Sequence, residues 1–248
     1  SSSPVLVNLP VGRTATDLST STDSTCAILD DGSIYCWGKN NYNQFGSVSD
    51  YDSDEPVAAV MPTGKTAIDI AMGDYQTCAI MNDGDIYCTG RNNYGQLGIG
   101  SYTDTNENNG IGSTTLTLVS MPASVDAVSI GAGSNHNCAL FSDGSIYCWG
   151  YSGDGNIGDQ GGDSNVPVQF DLPLGDNDGD GDGEIDTKEA DSISIGSSHG
   201  CALMTDSSIY CWGSNNVGQL GDGSSQSSNS QYDWLIEPDL PTGYYATS

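Results

Sequence analysis

The chain has 248 residues, with 5 basic side chains against 33 acidic ones and a formal net charge of −28 at pH 7. That balance excludes nucleic acid and anionic membrane surfaces as partners, because both need clustered Lys and Arg. No apolar run approaches the ~18 residues of a membrane-spanning helix, and the length suffices for a sizeable all-β core. The acid excess reads mainly as adaptation to a saline milieu, and it favours solubility at the cost of self-repulsion. The opening residues are not expected to form a signal peptide, and no N-x-[ST] sequon occurs. The expectation is a mature secreted chain, or an excised part of one, without N-glycans.

In chain order, Pro4 to Gly12 (PVLVNLPVG) reads as a short apolar strand stopped by proline and glycine. An alternating strand follows at Ala15 (ATDLS). The next stretch, Cys26 to Gly38 (CAILDDGSIYCWG), organises everything else, since it returns from Cys78, Cys138 and Cys201. Read as a β-hairpin, its Asp30, Asp31, Gly32 connection needs φ > 0 at the third position, which glycine supplies. That turn pairs Ile28 with Ile34, Ala27 with Tyr35, and Cys26 with Cys36. Non-hydrogen-bonded partners approach to roughly 4.5 Å between Cα atoms, within disulfide range. The spacing therefore predicts bridges Cys26–Cys36, Cys78–Cys88, Cys138–Cys148 and Cys201–Cys211, and no C-x-x-C knuckle offers a zinc site instead. Four disulfides imply an oxidising compartment, extracellular or at the cell surface. Ser207 replaces the turn glycine in the last copy, so that turn should be the most strained.

Relatives of the first strand follow the hairpins: PVAAVMPTG from Pro56, LTLVSMPAS from Leu116, PVQFDLPLG from Pro167 and WLIEPDLPTG from Trp234. Alternating strands then start near Ala67, Ala127 and Ser192. The unit is strand, hairpin, loop, strand, and a repeat of this length built from four short strands reads as a propeller blade. The fold class is all-β, with repeats at about 14–64, 65–123, 124–175 and 190–243, an extra strand at 4–10 and an insert at 176–189.

The polar loops complete the pattern: NNYNQFG from Asn40, NNYGQLG from Asn92 and NNVGQLG from Asn215, with a divergent GNIG at Gly155 to Gly158. Together with the D-G-S-I-Y-C-W-G hairpin they closely resemble the repeats of the regulator of chromosome condensation family, in a cysteine-paired secreted form. The resemblance implies a β-propeller of four-stranded blades, in a family whose rings usually hold more blades than four. It does not imply nuclear nucleotide exchange, and other members look like non-catalytic binding scaffolds. Five proline-terminated strands against four hairpins leave one strand over, so either the sequence is a window on a longer propeller or strands are exchanged between molecules.

One chemical motif stands apart. Asp178 to Glu189 (DGDGDGEIDTKE) matches a twelve-residue EF-hand loop, with Asp178, Asp180 and Asp182 at positions 1, 3 and 5 and Gly183 at the bend. Glu184 offers its carbonyl at 7, Asp186 serves at 9 and Glu189 would be bidentate at 12. The expected cofactor is Ca2+, held as a structural clamp. His136 and His199 each precede a first cysteine by two residues, in a slot filled elsewhere by Gln76 and Ser24, which marks them as repeat features. The loop amides read as turn-forming groups, and Trp37, Trp149 and Trp212 as packing on their hairpins. Nothing forms a nucleophile with its base or a phosphate loop. The leading expectation is a non-catalytic extracellular scaffold for a protein or glycan. A homo-oligomeric subunit of a surface layer or filament, built by strand complementation, is the alternative; a calcium-dependent hydrolase comes third.

Overall fold

The computed structural model describes residues 3–103, 111–122, 125–158, 162–175 and 186–225. The first sheet holds β1 (Ala15–Thr20), β2 (Ser24–Leu29), β3 (Ile34–Gly38) and β4 (Ser53–Ala58), in that spatial order. The second holds β5 (Ala67–Met72), β6 (Gln76–Met81), β7 (Ile86–Arg91) and β8 (Ile111–Leu118), and the third β9 (Ala127–Ala132), β10 (His136–Phe141), β11 (Ile146–Gly150) and β12 (Ser164–Gln169). A two-residue ladder, β13 (Leu174–Gly175) with β14 (Asp186–Thr187), precedes the fourth sheet. Among the described residues that sheet comprises β15 (Ala190–Ile195), β16 (His199–Met204) and β17 (Ile209–Gly213). All pairings are antiparallel.

The hairpin register follows from its turn. Ile28 faces Ile34, Ala27 faces Tyr35 and Cys26 faces Cys36, while Leu29 N–H donates to the Ser33 carbonyl at 2.9 Å. The four cysteine pairs are bridged, with Cα separations of 4.0 to 4.1 Å. Gly32, Gly84 and Gly144 take φ of +76°, +81° and +76°, and Ser207 is forced to +69° in the equivalent place. Asn43 likewise sits at φ +56°, in the place that Gly95 and Gly218 hold at +78° and +80° in the second and fourth loops.

Two strand expectations need correction. Residues 4–10 belong to no sheet, and Val5 and Leu6 are 74% and 94% exposed. The described counterparts of this segment each lie against the second strand of a hairpin, and among the described residues no hairpin strand lies against residues 4–10. The outer strands also begin earlier than the proline pattern suggests: β4 starts at Ser53, three residues before Pro56. A bulge between Cys36 and Gly38 admits the extra residues, and Pro56 is tolerated because an edge strand pairs on one side only. The counterpart at Trp234 to Pro241 lies outside the described residues.

Side-chain alternation makes each sheet two-faced, and the sheets pack face to face in chain order. Cys26, Ile28, Ile34, Cys36 and Phe45 of the first meet Ala67, Ile70, Met72, Ala79 and Met81 of the second. Two further cores join the second sheet to the third and the third to the fourth. Backbone tethers recur at each junction: Ala67 N–H donates to the Gly32 carbonyl (2.9 Å), Ala127 to Gly84 (3.2 Å) and Ala190 to Gly144 (3.0 Å). The result is a propeller-type row of blades.

Candidate functional site

The polar loops use their amides internally. Asn40 Oδ1 accepts from Phe45 N–H (3.0 Å) while its Nδ2 donates to the Ser49 carbonyl (2.9 Å). Asn92 repeats this with Leu97 and Ser101, and Asn215 with Leu220 and Ser224. Gln44, Gln96 and Gln219 each accept the N–H two residues upstream, at 2.9 to 3.0 Å. The third loop lacks this pattern, and there Asn156 Oδ1 is buried without a partner among the described residues. These amides hold their own loops.

The tryptophans reach further than their own hairpins. Trp149 and Trp212 are fully buried against the preceding sheet, their indole N–H groups donating to the carbonyls of Gln96 and Asn156 at 3.0 Å. Thr89, in the same slot, donates instead to the Asn43 carbonyl at 3.1 Å. Sequence patterns gave no sign of this cross-sheet bond, because its acceptor is a main-chain oxygen.

The histidine slot is also structural. Gln76 Nε2 crosses to the Gly133 carbonyl of the next sheet at 3.1 Å, whereas Ser24 Oγ stays within its own sheet, donating to Lys39 at 2.6 Å. His136 is fully buried, and neither ring nitrogen has a partner among the described residues. Burial, aided by the nearby His199, lowers its pKa to about 4, so it is neutral at physiological pH. Gly133 and Gly196 are the unanticipated partners: a Cβ on either would collide with the imidazole of His136 or His199.

Charge is arranged around the hairpin turns. Arg13 pairs with Asp30 and Asp31, Lys65 with Asp83 and Asp85, and Lys188 with Asp206. Burial pushes the Asp206 carboxyl up, but hydrogen bonds from Lys188 and Ser208 outweigh it and hold the pKa at about 2. Lys39 pairs with Asp23. Arg91 is left without a carboxylate among the described residues; its guanidinium lies 5.1 and 5.2 Å from the ring centres of Tyr42 and Tyr75. Those rings meet edge to face at 5.0 Å, as do Tyr94 and Tyr151 at the next junction. Among the described residues the loop-bearing rim thus presents half-buried tyrosines, the more exposed Tyr151 and one cation without a carboxylate.

Of the acidic insert, Asp178, Asp180, Asp182 and Glu184 lie outside the described residues. What is described is its neck. Leu174 faces Thr187, Gly175 faces Asp186, and Lys188 N–H donates to the Pro173 carbonyl at 2.8 Å. A β-ladder therefore closes the loop where an EF-hand has two helices. Glu189 lies beyond the neck, three residues of near-extended chain or roughly 10 Å past Asp186. It occupies the junction position held elsewhere by Thr66 and Asp126: a Cβ built on the turn residues Gly32, Gly84 or Gly144 would touch Thr66, Asp126 and Glu189 respectively. A 250 Å³ cleft beside the neck is lined by Asp143, Phe170, Lys188 and Glu189. No cluster of three potential metal ligands occurs among the described residues.

Models of the "Regulator of chromosome condensation (RCC1) repeat" match residues 15–44, 67–96, 127–156 and 190–219, and in a second form 31–80, 83–140 and 206–241. The chain belongs to the RCC1 repeat family. It is 30% identical over 200 residues to the human E3 ubiquitin-protein ligase HERC2, covering 80% of this chain and 4% of HERC2. Against the Ultraviolet-B receptor UVR8 of Arabidopsis thaliana it is 28% identical over 214 residues, covering 84% of this chain and 43% of the receptor. Among solved RCC1-type folds, human WBSCR16 superposes with a TM-score of 0.75 at 19% identity, over 92% of this chain and 53% of that one. Prp20p of Saccharomyces cerevisiae gives 0.73 at 19% identity, over 94% and 52%. The chain thus spans about half of these solved propellers and less of the curated relatives.

Proposed function

We propose that this RCC1-repeat chain is a non-catalytic extracellular scaffold that binds a protein or glycan and carries a calcium loop as a structural clamp. One observation carries the reading: the groups that could have done chemistry are committed to structure. The amides close their own loops, the histidines sit in inter-sheet slots, and four of the five cations neutralise hairpin turns or neighbouring carboxylates. What the rim leaves available is Tyr42, Tyr75, Tyr94, Tyr151 and Arg91, residue types that dominate binding energy at protein interfaces. A solved complex of a relative, Kap60 bound to yeast RCC1 (Prp20), supports protein recognition by this fold. The stapled hairpins and the charge of −28 support an oxidising, saline location.

For calcium, the donor chemistry fits: Asp178, Asp180, Asp182, the Glu184 carbonyl and Asp186 are hard oxygens at motif spacing. The neck pairs Gly175 with Asp186, closing the stretch between them into a loop. Glu189 has a junction role of its own, so its share in the shell should be smaller than the motif suggests. Calorimetric titration of the intact chain should show one calcium site, lost in the Asp178→Ala, Asp182→Ala double variant and weakened less than about tenfold by Glu189→Gln. No uptake up to millimolar calcium contradicts the assignment, and turnover of a hydrolase substrate that requires calcium contradicts the non-catalytic reading.

A further inference from the structure

Two neighbouring junctions carry the same pair of rings, and only one pair holds a cation of the chain's own. Tyr42, from the loop of the first sheet, meets Tyr75 edge to face at 5.0 Å, and the Arg91 guanidinium lies over both. One repeat later Tyr94 takes the place of Tyr42 in its loop, and Tyr151 takes the place of Arg91 after the hairpin. The backbone bond that seats Arg91, its N–H donating to the Tyr75 carbonyl at 3.0 Å, recurs from Tyr151 to Asn135 at 2.9 Å. This exchange of a cation for a ring leaves Tyr94 and Tyr151 edge to face at the same 5.0 Å. All five basic side chains of the chain are engaged elsewhere: Arg13, Lys39, Lys65 and Lys188 on carboxylates, and Arg91 on its two rings.

The surroundings of the second pair are acidic and exposed. The Tyr151 ring lies against Gly153, where a Cβ would collide with it, and exposed Asp154 follows at φ +60°. Asp163 is tied to the same loop: its Oδ1 accepts the Ser152 N–H at 2.9 Å, and its carbonyl accepts the Tyr102 hydroxyl at 2.6 Å. Neither carboxylate has an ion-pair partner among the described residues. Tyr151 is 40% exposed and Tyr102 50%, so rings and carboxylates meet solvent together. The net charge of −28 adds a field that draws cations and repels anions.

We infer that Tyr94 and Tyr151 receive an arginine side chain from a basic segment of a partner protein, with Asp154 and Asp163 beside it. The inference rests on the scaffold reading above and narrows its partner to a cationic polypeptide. Arg91 against Tyr42 and Tyr75 is an example, within this chain, of such a ring pair accepting a guanidinium. A guanidinium is favoured over an ammonium because its plane stacks on a ring face and it is more weakly hydrated. An acidic peptide or acidic glycan meets the repulsion of the whole chain, and a neutral glycan leaves the two carboxylates and the charge unused.

Fluorescence anisotropy of the intact chain with two labelled peptides, one of alternating Arg and Gly and one of alternating Lys and Gly, reads this at about 0.1 M and about 0.5 M salt. The Arg peptide should bind more tightly at both, because salt screens the steering field more than the ring contact. Tyr94→Leu and Tyr151→Leu, which keep apolar bulk, should each weaken it at least about threefold, while Tyr151→Phe, which keeps the ring face, should stay within about twofold of the wild type. Equal binding of the two peptides with no response to either Leu variant overturns the inference as attraction by net charge alone, and so does an absence of binding up to millimolar peptide. A neutral oligosaccharide that binds and is lost in Tyr151→Leu, with no Arg peptide bound, also overturns it but leaves the scaffold reading standing. Calcium-dependent turnover, measured without peptide, is what contradicts that reading.

Discussion

Ser207 shows most plainly how a single residue departs from the rule of its repeat. Its φ of +69° costs a side-chain-bearing residue about 1 kcal/mol or more, which glycine avoids. Ser207→Gly should therefore raise stability by about 1 kcal/mol in denaturant unfolding, with the Cys201–Cys211 bridge unchanged. His136 is a second case. Its folded pKa of about 4 lies below the usual 6.5, so the unfolded chain binds the proton more readily and stability must fall with acid. That contribution is complete above about pH 6.5 and lost as pH drops toward 4, a window above the one set by Asp206 at about 2. His136→Gln, copying the slot filled by Gln76, should flatten the thermal stability profile between pH 6.5 and 4; an unchanged slope contradicts the burial assignment.

Hairpin and loop together are the element that the family repeats, and most of it was legible. Cys26 to Gly38 carries its own turn, its register and its staple within thirteen residues, so local chemistry determines it. The strand expected at 4–10 was misread for the opposite reason: a fourth strand forms only against a hairpin strand, which is a non-local condition that residues 4–10 do not meet among the described residues. The loop amides were legible as turn formers, but not the pairing of Asn92 with both Leu97 and Ser101, since each partner is a backbone group. Asn92 is fully buried, and Asn92→Ala strands the buried Leu97 N–H and takes a donor from the carbonyl of exposed Ser101. It should cost about 2 kcal/mol in denaturant unfolding, whereas Asn41→Ala, at the exposed position after the equivalent Asn40 of the first loop, should change stability by less than about 0.5 kcal/mol.

Across the whole molecule, the proposed function rests on what the repeats leave unused. Sheets cohere through tethers and cores in chain order, and the insert hangs from a β-ladder between the third and fourth. Composition argued against nucleic acid as a partner; the tyrosine rim and Arg91 emerged only when the fold brought separate loops together. The central claim is a disulfide-stapled scaffold working outside the reducing cytosol. The direct test is non-reducing peptide mapping of the native protein, with thiols alkylated on collection. The account predicts Cys26–Cys36, Cys78–Cys88, Cys138–Cys148 and Cys201–Cys211 as the four linkages. Free thiols throughout, or a predominant bridge between different repeats, would contradict it.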